Sequence, residues 1–166
     1  MIKIGITGGI GSGKSTVCEV WKQLGAYIIN ADELAKEIMI SDPIVKENLI
    51  KTFGEESFHA DGSLNRSFLA EQAFRKGRVE ELNAIVHPQI PAEVDALMQK
   101  ADDEGYKVVV FEAALLLQNL PRYDLDFVVL VLADKTRRSR WVQQRDEVPE
   151  RMVTDRMERQ QNFEEL

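Results

Sequence analysis

Apolar positions along this chain change rhythm several times, and the changes mark its elements. Ile2, Ile4 and Ile6 alternate with other residues up to Thr7, which predicts a short buried strand over residues 1–7. Residues 16–24 carry no Gly or Pro and then meet Gly25, as a helix closing on a left-handed cap would. Ala26-Tyr27-Ile28-Ile29-Asn30 reads as a second strand, ending at Ala31-Asp32. Residues 107–112 and 126–132 are continuous β-branched and apolar runs, which predict strands buried on both faces of a parallel sheet.

The segments between read as helices. One is expected over 33–40, and another opens at Asp42-Pro43, with a capping carboxylate and Pro at the first helical position, and stops at Gly54. Asp61-Gly62 marks a turn. Helices are then expected over 64–75, 80–86 and 91–101, broken at Gly77 and at His87-Pro88, and from 134 to 166 apart from a break at 146–149. Strands alternating with helices predict an α/β doubly wound core. The helical stretch 33–104 is too long for an ordinary crossover and reads as an inserted substrate-binding region.

Composition narrows the class. With 166 residues, 44% hydrophobic and 30% charged, the sequence suits a single domain of a globular protein. A net charge of −7 argues against a nucleic-acid-coating surface. The single Cys18 excludes an internal disulfide framework and reads as a small buried hydrophobe. No apolar run approaches the roughly 20 residues of a membrane span, and the first strand follows Met1 directly, so a cytoplasmic setting without membrane or nucleic-acid partners is expected.

The chemistry is concentrated in Gly8-Gly9-Ile10-Gly11-Ser12-Gly13-Lys14-Ser15, which fits the phosphate-binding loop G-x-x-x-x-G-K-S/T. It lies between a strand and a helix, the context this motif requires. Residues without side chains let successive backbone N–H groups face phosphate oxygens, and the helix N-terminus adds a favourable dipole. Lys14 reaches the β and γ phosphates, and Ser15 offers its hydroxyl to Mg²⁺. The motif predicts binding of a nucleoside triphosphate.

Four further features lie near expected strand ends or helix breaks. Asp32 follows the second strand and reads equally as a proton acceptor or as the N-cap of a helix starting at Glu33. Lys135, Arg137, Arg138, Arg140 and Arg145 gather after Leu132, where guanidinium groups fold over a triphosphate or line a solvated helix. His87 precedes Pro88, which biases its backbone toward an extended conformation. Glu112 ends a strand as a metal-organising acid or a cap. Trp21 and Trp141 read as packing residues.

Together these motifs resemble the dephospho-coenzyme A kinases. The resemblance runs from Ile4 to about Gln160 through Thr7–Thr16, Asn30-Ala31-Asp32, Phe53-Gly54, Asp61-Gly62-Ser63-Leu64-Asn65-Arg66 with Leu69, Leu82–Pro88, Glu112–Leu116, Gln144-Arg145-Asp146 and Arg156…Gln160. It implies a P-loop NTPase fold, a three-layer α/β sandwich with a parallel sheet, and ATP-dependent phosphorylation of the ribose 3′-hydroxyl of dephospho-coenzyme A. By motif, Gly11, Ser12, Gly13, Lys14, Ser15 and Thr16 would bind ATP, Ser15 would also hold Mg²⁺, and Asp32 would be the general base. Arg66 and His87 would shape the acceptor pocket, and Arg140 would act from a lid over 135–150. Residues 1–32 and 105–134 would then form the nucleotide-binding core.

The sequence departs from the family pattern in places. Asn30 replaces the first Asp of Asp-Ala-Asp, Ala114 replaces a Pro, Gln118 stands where Glu is common, and the Arg140–Arg145 spacing is one residue longer than usual. The family pattern also continues past the position of Leu166 with a strand bearing an Asn near the adenine, followed by a helix. Two rival readings are another small-molecule or nucleotide kinase of this architecture, and an ATP-binding module without turnover.

Overall fold

The computed structural model describes residues 1–146 and 150–158. Its backbone divides into two compact units, one holding Met1–Asn30 with the described residues from Leu97 onward, the other holding Ala31–Ala96.

The first unit is built on four parallel strands, β1 (Ile2–Thr7), β2 (Tyr27–Asn30), β3 (Val108–Glu112) and β4 (Phe127–Leu130), in the order β2-β3-β1-β4. Alternation along β1 assigns its two faces. Ile4 and Ile6, with Val108 and Val110 of β3, pack against Val17, Cys18 and Trp21 of helix α1 (Lys14–Gln23). Gly5 faces the other way, beneath a 3₁₀ segment Leu116–Arg122; a Cβ there would lie 2.5 Å from Leu116 Cδ2 and 2.8 Å from Leu125 Cδ1. On the same strand set Phe111 packs on Tyr123 with ring centroids 4.8 Å apart and the ring planes tilted by 50°. The fold is α/β, as expected.

One expectation fails in this sheet. The apolar run 126–132 is not buried on both faces: β4 is an edge strand, and Phe127 and Val128 are 61% and 40% exposed. β3 sits between two strands, whereas among the described residues β4 pairs with β1 alone, so equally apolar sequences meet different amounts of solvent. The sheet is followed by α7 (Lys135–Asp146) and α8 (Glu150–Glu158). Residues 147–149, in the expected helix break, and 159–166, including Gln160, lie outside the described residues.

The second unit is helical. Its elements are α2 (Ala31–Ser41), α3 (Pro43–Phe53), α4 (Arg66–Ala70), α5 (Val79–Val86) and the first part of α6 (Ile90–Asp103). Val45, Leu49, Leu69, Val86 and Val94 form part of its buried core. Asp42 caps α3 as expected, accepting from Ile44 N at 2.8 Å and Val45 N at 3.1 Å, and Gly54 ends it with φ +105°. Between Phe58 and Leu64, Asp61-Gly62 makes the expected turn, with Ser63 N and Oγ donating to Asp61 Oδ1.

Two local expectations are corrected here. The helix over 64–75 is α4 followed by one π-helical turn, Glu71–Arg75, in which Lys76 N donates to Glu71 O at 3.1 Å. The wider turn buries Gln72 and Ala73 and leaves Phe74 74% exposed. His87 is not extended: its φ and ψ are −60° and −34°, inside the 3₁₀ turn His87–Gln89 that leads into α6. Pro88 needs no N–H at the start of that turn, which offsets the pre-proline bias.

Candidate active site

β1 delivers the chain to the carboxyl edge of the sheet at Thr7, and the loop from Gly8 to Gly13 turns it into α1. The glycines do more than expose N–H groups. Gly8 has φ +151°, and a Cβ there would collide with the Val131 carbonyl. Gly11 has φ +73°, and a Cβ would lie 2.7 Å from both Arg138 O and Val142 Cγ2. They thus allow the chain after β4 and helix α7 to close on the loop. Such contacts join residues more than a hundred positions apart, so the sequence motif carries no sign of them.

Within the loop Ser12 N donates to Gly9 O at 3.0 Å. The Ser12 side chain is 5% exposed, and its buried Oγ has no hydrogen-bond partner among the described residues. Lys14 arches back, its Nζ donating to Gly8 O at 2.8 Å and Gly9 O at 3.3 Å. A cleft of about 600 Å³ is lined by the stretch from Gly11 to Val17 together with Val131, Trp141 and Val142.

Glu112 organises the floor. The residue is 8% exposed, and its carboxylate accepts from Ser15 Oγ at 2.9 Å and from Asn30 Nδ2 at 2.8 Å. An Asp at position 30 would meet this carboxylate with like charge, whereas Asn30 donates to it. The Cys18 thiol, one turn beyond Lys14, is pushed up to about 12, first by burial and then by the Glu112 charge. It is a buried, protonated hydrophobe.

Among the described residues the arginine seen on the loop is Arg138, whose Nε donates to Ile10 O at 3.0 Å. Asp134 starts this helix by accepting from Thr136 N at 2.9 Å and Arg137 N at 3.3 Å. Val142 of α7 with Val153 and Met157 of α8 form a buried cluster, and Ile10, partly buried, packs against it. Arg140 is exposed on α7. The side chain of Arg145 lies outside the described residues. Trp21 packs against the core around Ile6 as expected, but Trp141 does not: it is 47% exposed on the cleft wall. Arg138 and Val142 are spaced i, i+4 and so share one face of α7, but nothing in that pair of residue types announces what covers it.

The remaining sequence candidates belong to the helical unit. Asp32 is exposed in the first turn of α2, which begins at Ala31, so it does not precede a helix starting at Glu33 and the N-cap reading falls. Arg66 is exposed at the start of α4, where Asn65 Oδ1 caps by accepting from Phe68 N at 3.2 Å. It lies near the first turn of α2: the Glu33 carboxyl is held below its usual range mainly by the hydrogen bond from Lys36, with a smaller contribution from the Arg66 charge. His87 is half-buried at the junction of α5 and α6.

The comparisons with known proteins agree with this architecture. The dephospho-CoA kinase family model matches residues 2–166. A dephospho-CoA kinase of Salinibacter ruber is 42% identical over 167 residues, covering 100% of this chain and 84% of that protein. One from Corynebacterium jeikeium is 42% identical over 147 residues, covering 87% of this chain and 75% of its own. A crystal structure from Thermus thermophilus superposes with a TM-score of 0.77 at 32% identity, covering 99% of this chain and 82% of that one. The dephospho-CoA kinase from Campylobacter jejuni superposes with a TM-score of 0.60 at 25% identity, covering 94% and 78%. With a phosphate loop at the sheet edge and a match along nearly its whole length, this chain belongs to the dephospho-CoA kinase family.

Proposed function

We propose that the protein transfers the γ-phosphoryl group of ATP to the ribose 3′-hydroxyl of dephospho-coenzyme A, giving coenzyme A and ADP. The observation that carries this reading is family membership along residues 2–166. The phosphate loop supports it independently. A buried hydroxyl left unpaired costs about 1–3 kcal/mol, so Ser12 Oγ supports an anion seated in the loop. Gly11, Ser12, Gly13, Lys14, Ser15 and Thr16 bind the triphosphate, with Lys14 exchanging the Gly8 and Gly9 carbonyls for phosphate oxygens.

Ser15 would hold Mg²⁺, with Glu112 orienting its hydroxyl from behind. Among the described residues no group of three or more His, Cys, Asp or Glu would hold a metal alone. That suits a hard cation whose other ligands are water and phosphate oxygens. When bound, Mg²⁺ would supply positive charge that offsets the charge of the triphosphate.

Asp32 accepts the proton of the attacking 3′-hydroxyl. Arg66 and His87 shape the acceptor pocket within a substrate-binding region, residues 33–104. Arg140 meets the developing charge from a lid over 135–150, while 1–32 and 105–134 serve as the nucleotide core. Positioning and electrostatics supply most of the catalysis. Among the described residues no helix is long and apolar enough to cross a membrane, and the cytoplasm is the setting we propose.

The test is ADP release from Mg·ATP with and without dephospho-coenzyme A, with coenzyme A identified by mass. Acceptor-dependent release is expected. ATP binding with no transfer to this acceptor would overturn the reading.

A further inference from the structure

Trp141 is a large apolar side chain left 47% exposed, yet it is not on a loose segment. Three residues earlier on α7, Arg138 Nε holds Ile10 O at 3.0 Å. One residue later, Val142 is 1% exposed and packed with Ile10, Val153 and Met157. The indole is therefore carried by a helix anchored on both sides of it to the phosphate loop.

What it lines is also informative. The cleft of about 600 Å³ falls within the roughly 300–1,000 Å³ of small-molecule sites, and Lys14, Ser15, Thr16 and Val17 line it as well. The loop residues offer backbone N–H groups and small polar side chains, which suit phosphates. Trp141 offers a broad flat π-face, which phosphates cannot use and a heteroaromatic ring can. The other tryptophan, Trp21, is packed against the core and shows what a structural role looks like in this unit.

We propose that Trp141 is the platform on which the nucleobase of the phosphoryl donor stacks, and that it sets donor choice toward purines by stacking area. The proposal rests on the reading of the loop as the donor site and adds to it the residue that selects the base. Stacking has no hydrogen-bond code, so it ranks purine above pyrimidine triphosphates and separates adenine from guanine poorly.

The test uses the two tryptophans of the chain. In a Trp21→Phe background Trp141 is the remaining indole, and its emission is followed while Mg·ATP, Mg·CTP or inorganic tripolyphosphate is added. Saturable quenching by ATP, weaker quenching by CTP and none by tripolyphosphate is expected, even though tripolyphosphate displaces ATP. In the otherwise unaltered chain, Trp141→Ala should raise the KM for ATP roughly 5- to 150-fold, the range base–aromatic stacking supplies. In that variant kcat should stay within about twofold, the preference for ATP over CTP should shrink, and Trp141→Phe should restore most of both.

Equal quenching by tripolyphosphate and ATP, or an unchanged KM and ATP:CTP ratio in Trp141→Ala, would overturn the proposal. If ATP still binds and Lys14→Ala abolishes that binding, the donor site survives and the platform alone fails. If the parent does not bind ATP at all, both fail together.

Discussion

Ser15 of α1 and Glu112 of β3 are 97 residues apart in sequence and share a hydrogen bond of 2.9 Å at the floor of the phosphate loop. The hydroxyl donates, so its lone pairs remain free to face the loop interior. Asn30 donates to the other carboxylate oxygen at 2.8 Å and leaves Glu112 no freedom to turn away. Supporting partners of this kind are worth about 10–100-fold in metal affinity. Glu112→Ala should therefore raise the Mg²⁺ concentration for half-maximal turnover by about that factor, read from a metal titration at saturating ATP.

Lys14 bonds two loop carbonyls, which phosphate oxygens of the proposed donor would replace. Lys14→Ala should remove ATP binding measured by calorimetry, while the far-ultraviolet circular dichroism spectrum stays that of the parent. Retained tight binding would show that the backbone N–H groups suffice.

Asp32 is exposed in the first turn of α2. Asp32→Asn should lower kcat by about 10²-fold or more, the contribution of a positioned general base, and leave the KM for ATP within a few-fold. Rates within a few-fold of the parent would remove Asp32 from the proton transfer.

Gly11 combines φ +73° with a closely packed neighbour on α7. Left-handed backbone costs an L-residue about 1–2 kcal/mol, and the 2.7 Å approach to Arg138 O adds to it. Gly11→Ala should lower the melting temperature and weaken ATP binding together. Gly13→Ala has a similar φ of +95° but meets nothing within 4 Å, so it should cost less.

Burial raises the Cys18 thiol from 9.0 to about 12, so the folded state holds its proton more tightly than the unfolded chain does. The stability this contributes is fully present below pH 9 and is lost as pH rises toward 12. Urea midpoints measured at pH 8 and pH 11 should fall further in the parent than in Cys18→Ala. At pH 7.5 the native thiol should react with iodoacetamide far more slowly than the unfolded chain.

The periodicity of Ile2, Ile4 and Ile6, the capping pair Asp42-Pro43, the turn at Asp61-Gly62 and the phosphate loop were all legible locally. Each depends on backbone preferences or spacing within a few residues, and the motifs identified the family. Where tertiary context competes, local reading failed. The run 126–132 is as apolar as 107–112, but position in the sheet made one an edge strand and the other a core strand. His87 stayed helical because it opens a 3₁₀ turn, His87–Gln89, that accommodates Pro88. Only the fold brought Glu112 beneath Ser15, closed Arg138 onto Ile10 and left Trp141 open on the cleft. These relations join segments on different strands and helices, and packing distances between distant segments leave no periodic trace in a sequence.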